Sequence, residues 1–232
     1  MDQELFSSQA AEWIKNHTFT ELVNANGVEV WRCQEPGSNN LAFDICVSRY
    51  GIAVFGDIGH LTFDVGADYG INFLRNHSIG SVHRKLAASC KAVDLDKASI
   101  LSSVEEAIIE LIDQQVPNAL KPAWLEAGSD FDQLLAWLEL MNAQDDDASL
   151  LYGELLDCID RIQRFDDGTR DIVPAFDFLA ESETLLGVHD TWEWSITKPT
   201  DDLWRKIFYV RHAANQIMAL KEAALASEPS PA

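Results

Sequence analysis

The feature that most limits what this chain can become is a change of texture at Gly66. Between Phe19 and Phe63, short runs of β-branched and aromatic residues are separated by turns rich in glycine and asparagine. Beyond Gly66, apolar residues recur at helical spacing almost to the end. A period of two and a period of 3.6 bury different faces, so the two regions are built from different elements.

In the first region Asn24-Ala25-Asn26-Gly27 is a turn signal, and Gly27 readily takes the positive φ that such a turn needs. Val28, Val30 and Arg32 then alternate against Glu29, Trp31 and Cys33. Glu35 to Asn40 reads as a loop. Leu41 to Arg49 follows, with Phe43, Ile45 and Val47 on one face, and Tyr50-Gly51 reverses the chain into Ile52 to Phe55. Gly56-Asp57-Ile58-Gly59 makes another turn before Leu61-Thr62-Phe63. The pattern predicts an antiparallel meander of three or four strands. A helix over Ser7 to Asn16, facing inward through Ala10, Trp13 and Ile14, precedes it.

The second region reads as helices over Tyr69–Asn76, Ser81–Cys90, Val104–Gln115, a segment opening at Ser129-Asp130-Phe131-Asp132, and Ser149–Gln163. Ser102 or Ser103 with Glu105 or Glu106 suggests a capping box for the third of these. Leu134, Leu135, Leu138 and Met141 face inward on the fourth, and Leu151, Leu155, Ile159 and Ile162 on the fifth. Asp145-Asp146-Asp147 and Asp166-Asp167-Gly168 read as turns between helices. Trp192 to Ile196 reads as a short strand or extended docking segment. Thr200-Asp201-Asp202 caps a long last helix whose Leu203, Ile207, Val210, Ala214 and Ile217 form a core-facing row. The expectation is an α+β protein. An antiparallel sheet with flanking short helices occupies 1–92, and a helical region, acidic at 126–190, occupies 93–232 and packs with it as one compact unit.

Composition sets the partner class. A chain of 232 residues, 47% hydrophobic and 24% charged, buries a substantial core. It has no apolar run long enough to span a bilayer, and the acidic start Met1-Asp2-Gln3-Glu4 lacks the features of a secretory signal. Four scattered cysteines (Cys33, Cys46, Cys90, Cys158) fit buried free thiols of a reducing cytoplasm. The net charge is −21, and residues 126–190 hold 17 acidic side chains against 3 basic ones. Such a surface repels nucleic acid and anionic membrane and attracts a basic protein surface.

Catalytic patterns fail on inspection. Val54-Phe55-Gly56-Asp57-Ile58-Gly59-His60 invites comparison with metallophosphoesterases, which set an Asp in a Gly-Asp context at a strand end. Asp44 and Asn76-His77 would imitate the other ligand blocks. Asp44 is followed by Ile45-Cys46 rather than a spaced His, and the intervals leave no room for the crossovers that build such a site. Asp157 and Asp160 at i, i+3 are balanced by Arg161 and Arg164 as a solvated helix face. Asp145 to Asp147 lacks the glycine and trailing Glu of a calcium loop. No nucleophile elbow, phosphate loop or dinucleotide fingerprint occurs, so no cofactor is expected. Trp192 and Trp194, flanking Glu193, suggest an exposed docking edge.

The order Trp31-Arg32-Cys33-Gln34-Glu35-Pro36-Gly37, then Phe43, then Ile52 to Gly59 and Phe63, resembles a group of bacteriophage and prophage proteins. In that group a W-x-C-x-x-P segment precedes a strand leading to a G-D-I/L-G turn, with an aromatic residue and a lysine beyond. Lys85 fits that lysine, whereas His83 stands where the aromatic belongs. The resemblance covers about the first 90 residues. It implies a phage or mobile-element accessory protein in a bacterial cytoplasm, and no reaction.

These readings converge on a non-enzymatic binding protein, an antagonist of a host nucleic-acid-handling defence protein. Its acidic surface would be formed by Asp145, Asp146, Asp147, Asp157, Asp160, Asp166 and Asp167, with Trp192 and Trp194 as a further contact. The alternatives are a metal-dependent hydrolase using Asp44, Asp57 and His60, and a phage structural or assembly component.

Overall fold

The computed structural model describes residues 3–66, 69–116, 121–122, 125, 131–144, 149–166 and 168–227. The chain is α+β and divides into two units, Met1–Ala92 with Pro199–Ala232, and Val93–Lys198.

The first unit holds a sheet of five strands in sequence order, all antiparallel: β1 (Thr18–Ala25), β2 (Val28–Gln34), β3 (Phe43–Ser48), β4 (Gly51–Gly56) and β5 (Leu61–Phe63). Asn26 and Gly27 take φ of 54° and 76° in a two-residue loop, the backbone that a tight hairpin with right-handed twist requires. The sheet therefore has one or two more strands than the alternation indicated. The addition is β1, an edge strand with a register shift between Glu21 and Val23 and little burial to mark a core face.

One face of the sheet is apolar. Trp31, Cys33, Phe43, Ile45, Val47, Ile52, Val54, Leu61 and Phe63 alternate inward and share a core with helices α1 (Gln3–Trp13) and α8 (Asp201–Ser227). Helix α8 contributes the row Leu203, Ile207, Val210, Ala214 and Ile217, with Phe208 and Ala213 beside it. Each large side chain so buried contributes about 1.5–3 kcal/mol of transfer free energy before entropy is charged. Thr200 Oγ1 accepts from the Leu203 N–H at 3.0 Å, closing the first turn of α8. Helix α1 begins four residues before the sequence pattern places it. Phe6 and Ala10 bury at i, i+4, while Trp13 is left half exposed. Two short helices, α2 (Asn72–Asn76) and α3 (Ile79–Arg84), replace the longer ones expected, because Ser78 caps α3 and a separate 3-10 turn spans Ala88–Cys90.

The second unit is helical: α4 (Lys97–Gln115), α5 (Phe131–Gln144), α6 (Ser149–Gln163) and α7 (Ile172–Leu186), with two short paired strands, β6 (Val93–Leu95) and β7 (Thr197–Pro199). Helix α4 starts seven residues before Val104, where the sequence pattern places it, and runs through the serines expected to cap it. The cap is Asp96, whose carboxylate accepts from the Ser99 N–H at 3.3 Å. Helix α7 has no counterpart in the sequence reading. Pro174 lies in its first turn, where a missing N–H costs no helical bond, and Gly187 ends it at φ 66°. Ile108, Leu138, Leu155, Ile162, Ala175 and Leu179 meet in the core, with edge-on ring pairs Trp137–Tyr152 at 5.6 Å and Phe165–Phe178 at 5.8 Å.

Candidate functional site

Charge is distributed by unit. Residues 93–198 carry 24 acidic and 6 basic side chains, a net −18, and the rest of the chain accounts for −3. The cause is local: each helix of the second unit spends one stripe on the core, and its outer side carries carboxylates with few cations between them. Glu106, Glu110 and Asp113 line the exposed side of α4 at i, i+4, i+7. Glu154, Asp157 and Asp160 are exposed on α6 at i, i+3, i+6, and Asp177 and Glu181 on α7 at i, i+4.

Among the carboxylates singled out in the sequence, Asp157 and Asp160 are exposed on α6, and Asp160 pairs with Arg164 at 2.6 Å. Asp166 is exposed in the turn after α6, 3.6 Å from Arg170, and its Oδ1 accepts from the Gly168 N–H at 3.1 Å. Asp145, Asp146, Asp147 and Asp167 lie outside the described residues. The two tryptophans do not form one edge. A 3-10 turn over Thr191–Glu193 leaves Trp192 67% exposed, its indole N–H donating to Asp190 at 3.1 Å. It turns Trp194 onto the second core instead. Glu183 holds that turn, accepting from the Thr191 N–H at 2.8 Å and the Thr191 hydroxyl at 3.1 Å.

The residues of the hydrolase alternative have other employment. Asp44 receives two parallel hydrogen bonds from Arg32, its cross-strand neighbour, at 3.0 and 2.9 Å. Asp57 accepts from the Leu41 N–H at 2.8 Å and donates its own N–H to the Ala42 carbonyl at 2.7 Å, stitching the loop before β3 to the turn after β4. His60 is exposed. Among the described residues, no three His, Cys, Asp or Glu side chains are grouped so as to hold a metal ion. The Gly56–Gly59 turn does border a cleft of about 370 Å³, which it shares with Trp13, Arg205, Lys206 and Tyr209. Lys206 is paired there with Asp202 at 2.6 Å. Burial raises the Tyr209 hydroxyl pKa above its ordinary value, an effect Arg205 opposes and Asp202 reinforces.

The cysteines are free thiols. Burial, reinforced by Asp44, pushes the Cys33 thiol far above its ordinary value, so it is held as an inert thiol. No helix among the described residues is long and apolar enough to cross a membrane.

One signal is absent from the sequence reading. From Tyr69 to Val93 the chain has no carboxylate at all, but has Arg75, Arg84, Lys85 and Lys91, with His77 and His83. In a protein of net charge −21, a run of 25 residues without an acid is a stretch where an anion meets less local repulsion than elsewhere. Compared with protein-family models, curated proteins and solved structures, the chain matches none of them.

Proposed function

We propose that this is a non-enzymatic binding protein whose helical unit, 93–198, occupies a basic surface on another protein. The observation that carries the reading is the segregation of charge, −18 in one unit and −3 in the other. A carboxylate excess maintained only for solubility has no reason to be confined to one unit, whereas a docking surface has. Rows of exposed carboxylates at helical spacing, as on α4 and α6, offer a basic groove a regular series of charges in place of phosphates. Nucleic-acid-handling proteins carry such grooves. The resemblance of the Trp31–Phe63 segment to bacteriophage and prophage proteins directs the search to such a protein in a bacterial host, with antagonism of a defence protein as the biological outcome. Trp192, exposed beside Asp190, supplies an aromatic anchor at the same unit's surface.

The test is affinity capture from a bacterial lysate with the native chain and with the triple variant Asp157→Lys, Asp160→Lys, Asp166→Lys, washed at low and then high salt. The reading expects a basic protein held by the native chain, released by salt and missing from the folded variant. Capture that persists in the variant and through the high-salt wash overturns it.

A further inference from the structure

We propose that the hollow between α2 and α3 binds a small organic anion, a flat ring carrying a phosphate, of the size of a nucleoside monophosphate. The hollow has a volume of about 240 Å³ and is open to solvent, so it can hold the phosphate and part of the ring system of a mononucleotide while the remainder stays in water. It lies wholly within the first unit, and the inference is independent of the acidic surface.

One side of the hollow is aromatic. Tyr69, Phe73 and His77 are all in mutual ring contact: Tyr69–Phe73 at 6.1 Å, Tyr69–His77 at 5.5 Å and Phe73–His77 at 4.6 Å. Tyr69 is 51% exposed, so its ring is open to stacking by a ligand. The other side is cationic. Ser81, Arg84 and Lys85 line it, and the Arg84 Nη2 donates to the Ser81 hydroxyl at 2.8 Å, which keeps the guanidinium at the hollow. Among the described residues, Arg84 and Lys85 are exposed and form no ion pair, and no carboxylate lines the hollow. An oxyanion placed beside Ser81 would meet two cations and a hydroxyl donor, and a ring attached to it would reach the tyrosine.

The walls are fixed from behind. Arg211 on α8 donates to the His77 carbonyl at 2.9 Å and the Arg75 carbonyl at 3.4 Å, holding the end of α2. The Asp64 N–H donates to the Lys85 carbonyl at 2.8 Å and ties the end of α3 to the chain after β5. The hollow is therefore largely formed before a ligand arrives, and binding has little ordering cost to meet.

The experiment is calorimetric titration of the full chain, at low salt, with adenosine monophosphate, adenosine and inorganic phosphate. Adenosine monophosphate is expected to bind with a submillimolar dissociation constant, and the other two at least about tenfold more weakly. Tyr69→Ala, and separately the double variant Arg84→Gln/Lys85→Gln, are each expected to weaken the nucleotide about tenfold or more. All three altered side chains are exposed, and an unchanged thermal midpoint verifies the fold. Absence of nucleotide binding up to about 5 mM overturns the proposal, as does binding that both variants retain. Phosphate binding as tightly as the nucleotide overturns it too, since the ring would then contribute nothing.

Discussion

A methyl group at position 56 would have to share space with the backbone of the neighbouring strand. A Cβ on Gly56 would stand 2.3 Å from the Ala42 carbonyl oxygen and 2.6 Å from the Phe43 Cα, at a φ of 145° that side chains avoid. Neither obstacle is the end of a flexible side chain, so the strands themselves would move apart. Gly56→Ala should lower the free energy of unfolding by more than about 2 kcal/mol. Asp57→Ala removes one hydrogen bond, to the Leu41 N–H, and should cost about 1 kcal/mol. Urea denaturation of the two variants measures both. A larger loss at Asp57 than at Gly56 would mean that the turn is not held together as described. The turn itself was legible in the sequence from two glycines flanking an Asp. Leu41, at φ 53°, was not. Nothing in a leucine announces a left-handed backbone, which Asp57 stabilises from 16 residues away.

At the scale of elements, helix ends separate what local chemistry decides from what packing decides. Thr200 at the head of α8 was readable because its hydroxyl acts on its own next turn. At α4 two serines followed by glutamates offered the same signature, yet the helix runs back through them to Asp96. The Leu95 and Ile100 side chains bury in the second core, and this gives residues 97–103 a reason to be helical that no capping rule contains. Asp96→Ala should therefore destabilise the second unit by about 1 kcal/mol, and Ser102→Ala should be neutral or stabilising by a few tenths. Thermal unfolding followed by circular dichroism distinguishes the two, and the reverse order would restore the serine cap. Helix α7 is hard to read from the sequence for a related reason. Ile172, Val173, Phe176, Phe178, Leu179, Leu185 and Leu186 surround it with apolar residues, so its periodicity is blunt, and Pro174 reads as a breaker unless it is known to sit in the first turn.

At the scale of the molecule, an unequal division of charge predicts an unequal response to salt. The Debye length shrinks from roughly 30 Å at 0.01 M salt to 3 Å at 1 M, which relieves repulsion within a unit of net −18 and does little for one of −3. Hydrogen exchange in residues 93–198 should slow over that range, while exchange in the sheet stays nearly constant. An equal response in both units would show that the carboxylates of the helical unit are already neutralised locally, for instance by pairs such as Asp160–Arg164. The acidity was plain in the composition. Its boundary was not, because α8 continues the helical texture of the residues before it, and only its burial against the sheet assigns it elsewhere.

That return of α8 has a consequence for how the chain is made. The sheet's inner face, from Trp31 to Phe63, is made within residues 1–92, but α8, which buries much of it, comes after 108 further residues. At about 5–20 residues per second, Leu203, Ile207 and Val210 arrive some 5–20 s later. Through that interval the apolar face is covered only by the short helices of the first 92 residues, and the surface that α8 later buries stays open to water and to any protein that shelters it.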